Sequence, residues 1–599
     1  MKLDIENLIQ SLKLGYEASY SSRNEGEYIQ DLYHGRQFTD EQLSVLQERG
    51  QPAEMFNIIR LFTRQLIGYY STTINTVKAV PRQHNDIVTA GLLNDTVEYV
   101  NGVNHWDAEG DKLKQDLFLT GLMVSYNEVI EDGTTDEFNR KIYKIVKRHI
   151  PSGEVILDPN SVATDYSDAR FIHRFKWLNK DQIVSLFGED KTADMEQWYN
   201  FTDIEQADYA YNKVGSSQFG GFRYYEEYLV LHTIATDDSG DMYSIYWSGT
   251  KILQKEKIPY LEVTNPYTVV KLHDSNKSEY YSMFRDVAPS QLAINQAIIQ
   301  LQLMSNTNKV LVEDGAVRDL DDFATTFARV NSVIGVNKLR GIRVENMSGE
   351  IQHQYLIIDK AFNRIQQVLG INDSFLGMAY AGDSGRKVKL QQNATIMALR
   401  YINNKLELFY RLDGWKTISL IKQYFKATQI MRIVDESVGE RWIEINTPLV
   451  NDKGEIVLEE DIDPETGKPN LDKYGNIILA PVNDIDTTLE FTQVDITVET
   501  VAYNDEDERS QLLLETFIGG NTGQALMQVN PMGFFKIASL NIKSMKSKYS
   551  PDIANILEET ANMLQPQPQR QTELGGGQLG GQSANSQSLK LPQNTNEGA

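Results

Sequence analysis

No proline lies between Pro289 and Pro448, although sixteen are spread over the 599 residues. Proline removes a backbone donor and clashes with the preceding turn, so a span without it is free to carry long helices. Three helical runs fill this one. The first spans roughly 289–305, with Pro289 at its first position, where the missing amide costs nothing. The second, about 350–369, places Tyr355, Ile358, Phe362, Ile365 and Leu369 at steps of three and four, and Gly370 can cap it. The third, about 387–425, carries the stripe Leu390, Met397, Tyr401, Leu408, Leu412 and Trp415. If continuous it would be about 60 Å long, with Gly414 as its expected bend. A glycine-rich basic loop, Gly377 to Lys389, joins the second run to the third, and residues 307–348 read as a compact strand-bearing insertion.

The flanks differ in period. Residues 1–80 read as mainly helical, with a helix over 55–68 ended by Gly68 and a β-branched extended stretch from Thr72 to Val80. Residues 84–120 return to helix, with Leu92, Leu93, Val97 and Val100 on one face. The region 121–272 is strand-rich. Segments 123–130 and 141–147 alternate as half-buried strands do and are joined through Asp132-Gly133. Further strands fit 170–175, 224–235, 243–247 and 251–254, with one short helix near 181–187. Residues 430–500 are strands again, with hairpin turns at 451–454 and 472–475. Residues 506–563 are helical. From Gln565 the chain is rich in Gln, Gly, Asn and Ser and lacks the apolar surface to fold alone.

Charge narrows the function. The chain holds 58 basic and 83 acidic residues, a formal charge of −25. Proteins that grip nucleic acid through phosphates are basic over at least one domain. This surface repels DNA, which still suits a protein that surrounds DNA and lets it slide. There is no cysteine, which excludes disulfides, thiolate catalysis and cysteine-ligated zinc. The longest uncharged stretch, Val287–Asn308, carries ten Gln, Asn, Ser or Thr residues, a load that a bilayer rejects. With no apolar signal core at the N-terminus, the chain reads as soluble and intracellular at synthesis, with no membrane partner. The 30 tyrosines point to extensive subunit contact.

Catalytic patterns are missing. The one Gly-Lys pair, Gly467-Lys468, precedes Pro469 and lacks the first glycine of a phosphate loop. Gly382-Asp-Ser384-Gly385 is one residue short of a nucleophile elbow. The eight histidines show no metal-ligand spacing. Asp461, Asp463 and Glu465 alternate as in a calcium loop, but Pro464 intrudes. Asp158, Asp165 and Asp168 have two readings, convergence on a divalent cation in an enzyme or Asx turns between strands. The turns are the simpler account, and no cofactor or metal is expected.

Several landmarks in order along the chain resemble the portal proteins of tailed bacteriophages, in particular the longer portals of short-tailed phages. They are Tyr33-His-Gly-Arg-Gln37, Gly50-Gln-Pro52 and Asn57-Ile-Ile59 near the start, then Asp158-Pro-x-Ser161 with Asp165-x-Ser-Asp168-Ala-Arg-Phe171. Asp286-Val-Ala, Gln291 and Asn295 follow, and then Val498-Glu-Thr500 before the helix at Glu508–Phe517. The resemblance spans roughly residues 20–530.

The resemblance implies an α+β, mainly helical portal fold with wing, stem, clip and crown, assembling as a cyclic ring, usually of twelve copies. On that plan the wing is 1–288, the first stem helix 289–306, the clip 307–348 and the second stem helix 349–371. The tunnel loop is 372–388, the long wing helix 389–428, the strand-rich wing return 429–505, the crown 506–564 and the disordered tail 565–599. It implies a non-enzymatic conduit at one capsid vertex for packaging and ejecting double-stranded DNA without sequence specificity. The site is the virion, reached from the host cytoplasm during assembly. Implied partners are the chain itself, the terminase large subunit, head-completion or tail-adaptor proteins, and the major capsid and scaffolding proteins. Other structural virion or scaffold roles remain the alternative, and after them the metal-dependent enzyme.

Particular residues acquire expectations from this plan. Gln291, Asn295 and Gln302 would bond between neighbouring copies, because neutral amides avoid facing their own charge around a ring. Arg318, Asp321, Asp322 and Arg329 would dock the motor or adaptor. Arg386, Lys387 and Lys389, beside the loop glycines Gly377, Gly382 and Gly385, would meet DNA phosphates in the channel or, alternatively, hold the start of the third helix. Cations there oppose the helix dipole.

Overall fold

The computed structural model describes residues 2–192, 227–377, 385–502, 526–543, 556–557 and 560, apart from 84–85, 139, 264, 276–277, 307–308, 328–332, 346–347, 436–438, 452–454, 461–467, 470–476, 478, 485–486 and 491. The chain divides into two units, Met1–Glu506 and Asp507–Ala599.

In the first unit the chain opens with α1 (Ile5–His34), α2 (Asp40–Glu48) and α3 (Ile58–Thr72). Asp4 caps α1 by accepting the Asn7 amide at 2.9 Å. The helix expected to stop at Gly68 runs on to Thr72 because Phe62, Leu66 and Tyr70 keep one stripe of it buried. β1 (Thr73–Pro81), α4 (Ile87–Val103) and α5 (Trp106–Thr120) follow.

The strand-rich region comprises β2 (Leu122–Thr135), β3 (Lys141–His149), β4 (Val155–Leu157) and β5 (Phe171–Asn179), and then helices α6 (Lys180–Phe187) and α7 (Glu189–Thr192). It continues with β6 (Glu227–Thr236), β7 (Met242–Ser248), β8 (Lys251–Lys257) and β9 (Tyr267–Lys271). Two antiparallel sheets result, ordered β3-β2-β9 and β4-β5-β6-β7-β8. The β2–β3 turn differs from the expected one. The ladder passes Asp132-Gly133 through an irregularity and turns between Thr135 and Lys141. There Asp136 accepts the amides of Phe138 and Arg140 and pairs with the Arg140 guanidinium at 2.8 Å. One face of the five-stranded sheet receives α1 (Leu8, Leu12 against Phe171, Leu231, Trp247), and the opposite face meets the three-stranded sheet through Ile172, Ile234, Val124 and Tyr267.

A short pair, β10 (His273–Asp274) and β11 (Tyr280–Tyr281), leads to α8 (Ala288–Asn306). The insertion then holds β12 (Lys309–Val312), α9 (Leu320–Phe327) and β13 (Ile342–Glu345), with β12 and β13 paired antiparallel. Next come α10 (Ser348–Leu369), α11 (Gly385–Ala398) and α12 (Arg400–Tyr424). β14 (Gln429–Asp435) pairs with β15 (Gly439–Ile445), and β16 (Leu458–Glu460) with β17 (Leu479–Pro481). β18 (Val494–Ala502) returns to pair with β1 along its whole length.

The largest core gathers α1, α3, α5, α8, α10 and α12 around Phe62, Phe118, Phe284, Ile294, Ile365 and Phe409. A second core joins α4, the end of α12 and the β14–β15 pair. In the second unit the described part is chiefly α13 (Pro531–Lys543). The expected hairpin turn at 472–475 and most of the helical stretch 506–563 lie outside the described residues, as does the tail.

Candidate functional site

The two helices flanking the insertion pack along each other. Nineteen-residue α8 carries no charge. Ile294 near its start and Ile365 and Leu369 near the end of α10 share the central core, so the two helices run antiparallel. Gln291 and Asn295 are 0% and 1% exposed within this one chain. Gln291 Oε1 accepts the Ile58 amide at 2.9 Å and its Nε2 donates to the Phe56 carbonyl at 2.7 Å. Asn295 Oδ1 accepts the Phe56 amide at 3.2 Å, and both side chains donate to Gln37 Oε1. The expectation that these two amides bond to a neighbouring copy is therefore corrected. They satisfy the open backbone that enters α3, as buried polar groups must be satisfied. Gln302 is half-buried, and its enclosed Oε1 has no partner among the described residues. Beyond Pro289 in its first turn, Gln296, Gln300 and Leu303 are the exposed positions among the described side chains of α8.

After α10 the chain turns at Gly370, whose φ of +68° suits glycine. A Cβ there would also sit 2.8 Å from the Ala398 methyl, so the turn brings the end of α10 close to α11. Polar bonds tie residues 372–374 to α11. The Asn372 side chain donates to the Gln391 carbonyl, Ser374 Oγ donates to Gln391 Oε1 at 2.6 Å, and Thr395 Oγ1 accepts the Asn372 amide at 3.3 Å. Gly377 has φ +77°. Gly382 lies outside the described residues, while Gly385 opens α11. Arg386, Lys387 and Lys389 thus fall in its first turns. Lys387 is exposed, and the side chains of the other two lie outside the described residues.

The long third helix is two helices, interrupted at Leu399, whose carbonyl accepts the Tyr70 hydroxyl at 3.1 Å. Gly414, the expected bend, is not where the helix is interrupted; that residue is inside α12. A Cβ on it would meet Val77 Cγ1 at 2.4 Å, so the glycine permits a close crossing of α12 over β1.

Beside Gly414, α12 is anchored by charge. Asp413, 1% exposed, pairs with Lys147 at 2.6 Å and accepts Ser125 Oγ at 2.9 Å and Asn127 Nδ2 at 3.1 Å. Lys416 donates to the Tyr267 carbonyl at 2.5 Å. Burial pulls Lys416 down to about 8, opposed by Asp413, and lowers Lys147 as well. Two lysines and one carboxylate thus fix α12 to the β3-β2-β9 sheet. Sequence reasoning missed this cluster, because bonds such as Ser125–Asp413 join residues 288 positions apart.

In the insertion, Asp319 Oδ1 accepts the Asp321 amide at 2.9 Å and so caps α9. Asp321 and Asp322 occupy its first turn, where the dipole favours them. Both are exposed, as is Arg318; Arg329 lies outside the described residues.

The three aspartates of the 158–168 loop are engaged by the protein itself. Asp158 binds the Arg170 guanidinium through both oxygens at 2.7 and 2.8 Å. Asp165 accepts the Ser167 amide at 3.1 Å. Asp168 accepts Ser161 Oγ and the amides of Val162 and Ala163, contacts that hold its carboxyl below the usual range. Among the described residues no group of acidic or histidine side chains is arranged to hold a metal. The structure does bring Ser11 Oγ to 3.1 Å from His173 Nε2, with Thr233 Oγ1 2.7 Å from Nδ1. His173 is 0% exposed, so this pair is core packing. No helix among the described residues is long and apolar enough to cross a membrane.

Comparison with known proteins places the chain in a family. The family model of phage P22-like portal proteins matches residues 9–596. The portal protein of Helicobacter pylori bacteriophage KHP30 is 23% identical over 491 residues, 80% of this chain and 77% of that protein. A family match of that extent settles membership, and the chain belongs to the phage P22-like portal proteins.

Proposed function

We propose that copies of this chain close into a ring, of twelve on the family's plan, at one capsid vertex, and that double-stranded DNA passes through it during packaging and ejection. The observation that carries this reading is the family match over nearly the whole chain. The antiparallel α8–α10 pair serves as the stem and residues 307–348 as the clip. The clip docks the terminase large subunit first and head-completion or tail-adaptor proteins afterwards, through Arg318, Asp321, Asp322 and Arg329. The tunnel loop, expected over 372–388, gives way to α11 at Gly385, and the first turns of that helix bring Arg386, Lys387 and Lys389 to the channel. Gln302, with its enclosed and unpartnered oxygen, is the stem amide left to bond across the seam.

ATP hydrolysis then belongs to the motor, in keeping with the missing phosphate loop in the sequence. Negative-stain images of the purified chain test the reading. Rings with a central channel are expected; particles without a channel would sink it.

A further inference from the structure

We propose that α2 and the segment leading from it to α3 dock on the C-terminal half of α10 in a second copy of this chain. The inference rests on the ring reading above and names one of its contacts.

α2 is well specified locally. Thr39 Oγ1 accepts the Gln42 amide at 3.2 Å while Gln42 Oε1 accepts the Thr39 amide at 3.0 Å, a reciprocal cap. A helix of nine residues is nonetheless marginal in water unless it packs against something. None of its residues is buried in this chain. Leu43 and Val45 are each 40% exposed, and beyond the helix Met55 and Phe56 are 40% and 51% exposed. The base of this arm is fixed, because the Phe56 amide and carbonyl are both held by α8, through Asn295 and Gln291. A rigidly rooted helix therefore presents apolar side chains with no cover of its own.

Its chemistry selects the surface it meets. α2 carries Asp40, Glu41 and Glu48 and no cation. The matching face combines apolar groups with cations. On α10, Leu356, Lys360, Arg364 and Val368 recur every fourth residue and so form one stripe. All four are exposed, Leu356 at 54% and Val368 at 49%. Neither cation forms an ion pair among the described residues. α2 is rooted at the first turns of α8, which share a core with the last turns of α10. Rotation about an axis along that helix pair brings α2 of one copy level with the last turns of α10 in the next.

The absence of cysteine makes the test clean. Differently tagged Leu43→Cys and Val368→Cys chains are produced together, and their assemblies are treated with a short bis-maleimide. The expected product is a cross-linked pair holding one chain of each kind, absent when either variant is mixed with unsubstituted chain. Leu43→Cys with Leu186→Cys, on α6, should give none. Lys360→Glu with Arg364→Glu should weaken assembly several-fold, and Asp40→Lys with Glu41→Lys should restore it. Channelled rings without the cross-link would overturn this docking and leave the ring reading standing. Cross-linked closed dimers would uphold the docking and overturn the ring, and chains that never associate would overturn both.

Discussion

Asp413 is a side chain whose loss the chain should tolerate poorly. Among the described residues its carboxylate is the counter-charge in contact with Lys147, and it lies one turn from Lys416, both lysines nearly sealed from water. Asp413→Ala leaves the buried Lys147 ammonium without its counter-charge and should cost about 3–5 kcal/mol. Lys416→Met removes a charge whose burial is unfavourable and keeps its bulk, so it should lie within about 1 kcal/mol of the parent. Denaturant midpoints of the two variants test the contrast, and equal losses would contradict it. Two histidines make the opposite kind of statement. Burial pulls His173 and His232 down to about 3 from 6.5. The folded state therefore binds fewer protons than the unfolded one between those values. Their contribution is complete above pH 6.5 and is lost as pH falls towards 3, at about 1.4 kcal/mol per pH unit for each. Selectively labelled imidazole resonances should still report neutral rings at pH 5 while unfolding becomes easier. None of these three residues was singled out from sequence, since a lone Asp or His carries no mark of burial until distant strands enclose it. Gln291 and Asn295 were singled out for lacking charge, which was the right signal attached to the wrong partner. A neutral amide suits a subunit seam and a buried backbone clamp equally well.

Among the elements, periodicity made the helices around residues 289–306 and 350–369 legible, along with the alternating strands β2, β3 and β7. Ends and breaks were less legible because tertiary contacts decide them. The β2–β3 turn sits at Asp136–Arg140 because the Arg140 guanidinium also reaches Thr428 and Asn483, nearly 300 and more than 340 positions away. β1 finds its partner β18 more than 400 positions later, a pairing that no local pattern announces. Gly414 shows that one glycine carries more than one reading, since besides the expected bend it permits a close crossing. The difference can be measured. Alanine at a helical position should gain up to about 1 kcal/mol over glycine. Here its methyl would press into Val77, and overpacking costs about 1–3 kcal/mol, so Gly414→Ala should destabilise. Val77→Ala in the same chain should recover most of the loss, giving a coupling that a thermal-denaturation double-mutant cycle detects. Additive effects would mean that the crossing is slack enough to absorb the methyl.

For the molecule as a whole, the formal charge of −25 per copy and the basic start of α11 pull in opposite directions. A ring repeats both. On the proposed function its net charge would repel DNA, and the cations at the start of α11 would form a band at one level of the channel where phosphate is met. The competing account has the same cations steadying α11. The two differ in sign. Cations at a helix N-terminus oppose the dipole by about 0.3–1 kcal/mol each when exposed, so removing them should hold or raise the stability of α11. Replacing Arg386, Lys387 and Lys389 together by Gln should therefore leave rings intact and melting no lower. DNA retention in filled capsids should fall, most visibly at low salt, where phosphate contacts count most. If retention is unchanged and the rings melt earlier, the three cations serve α11 through their own chain, and the band of contact with DNA must be sought elsewhere in the ring.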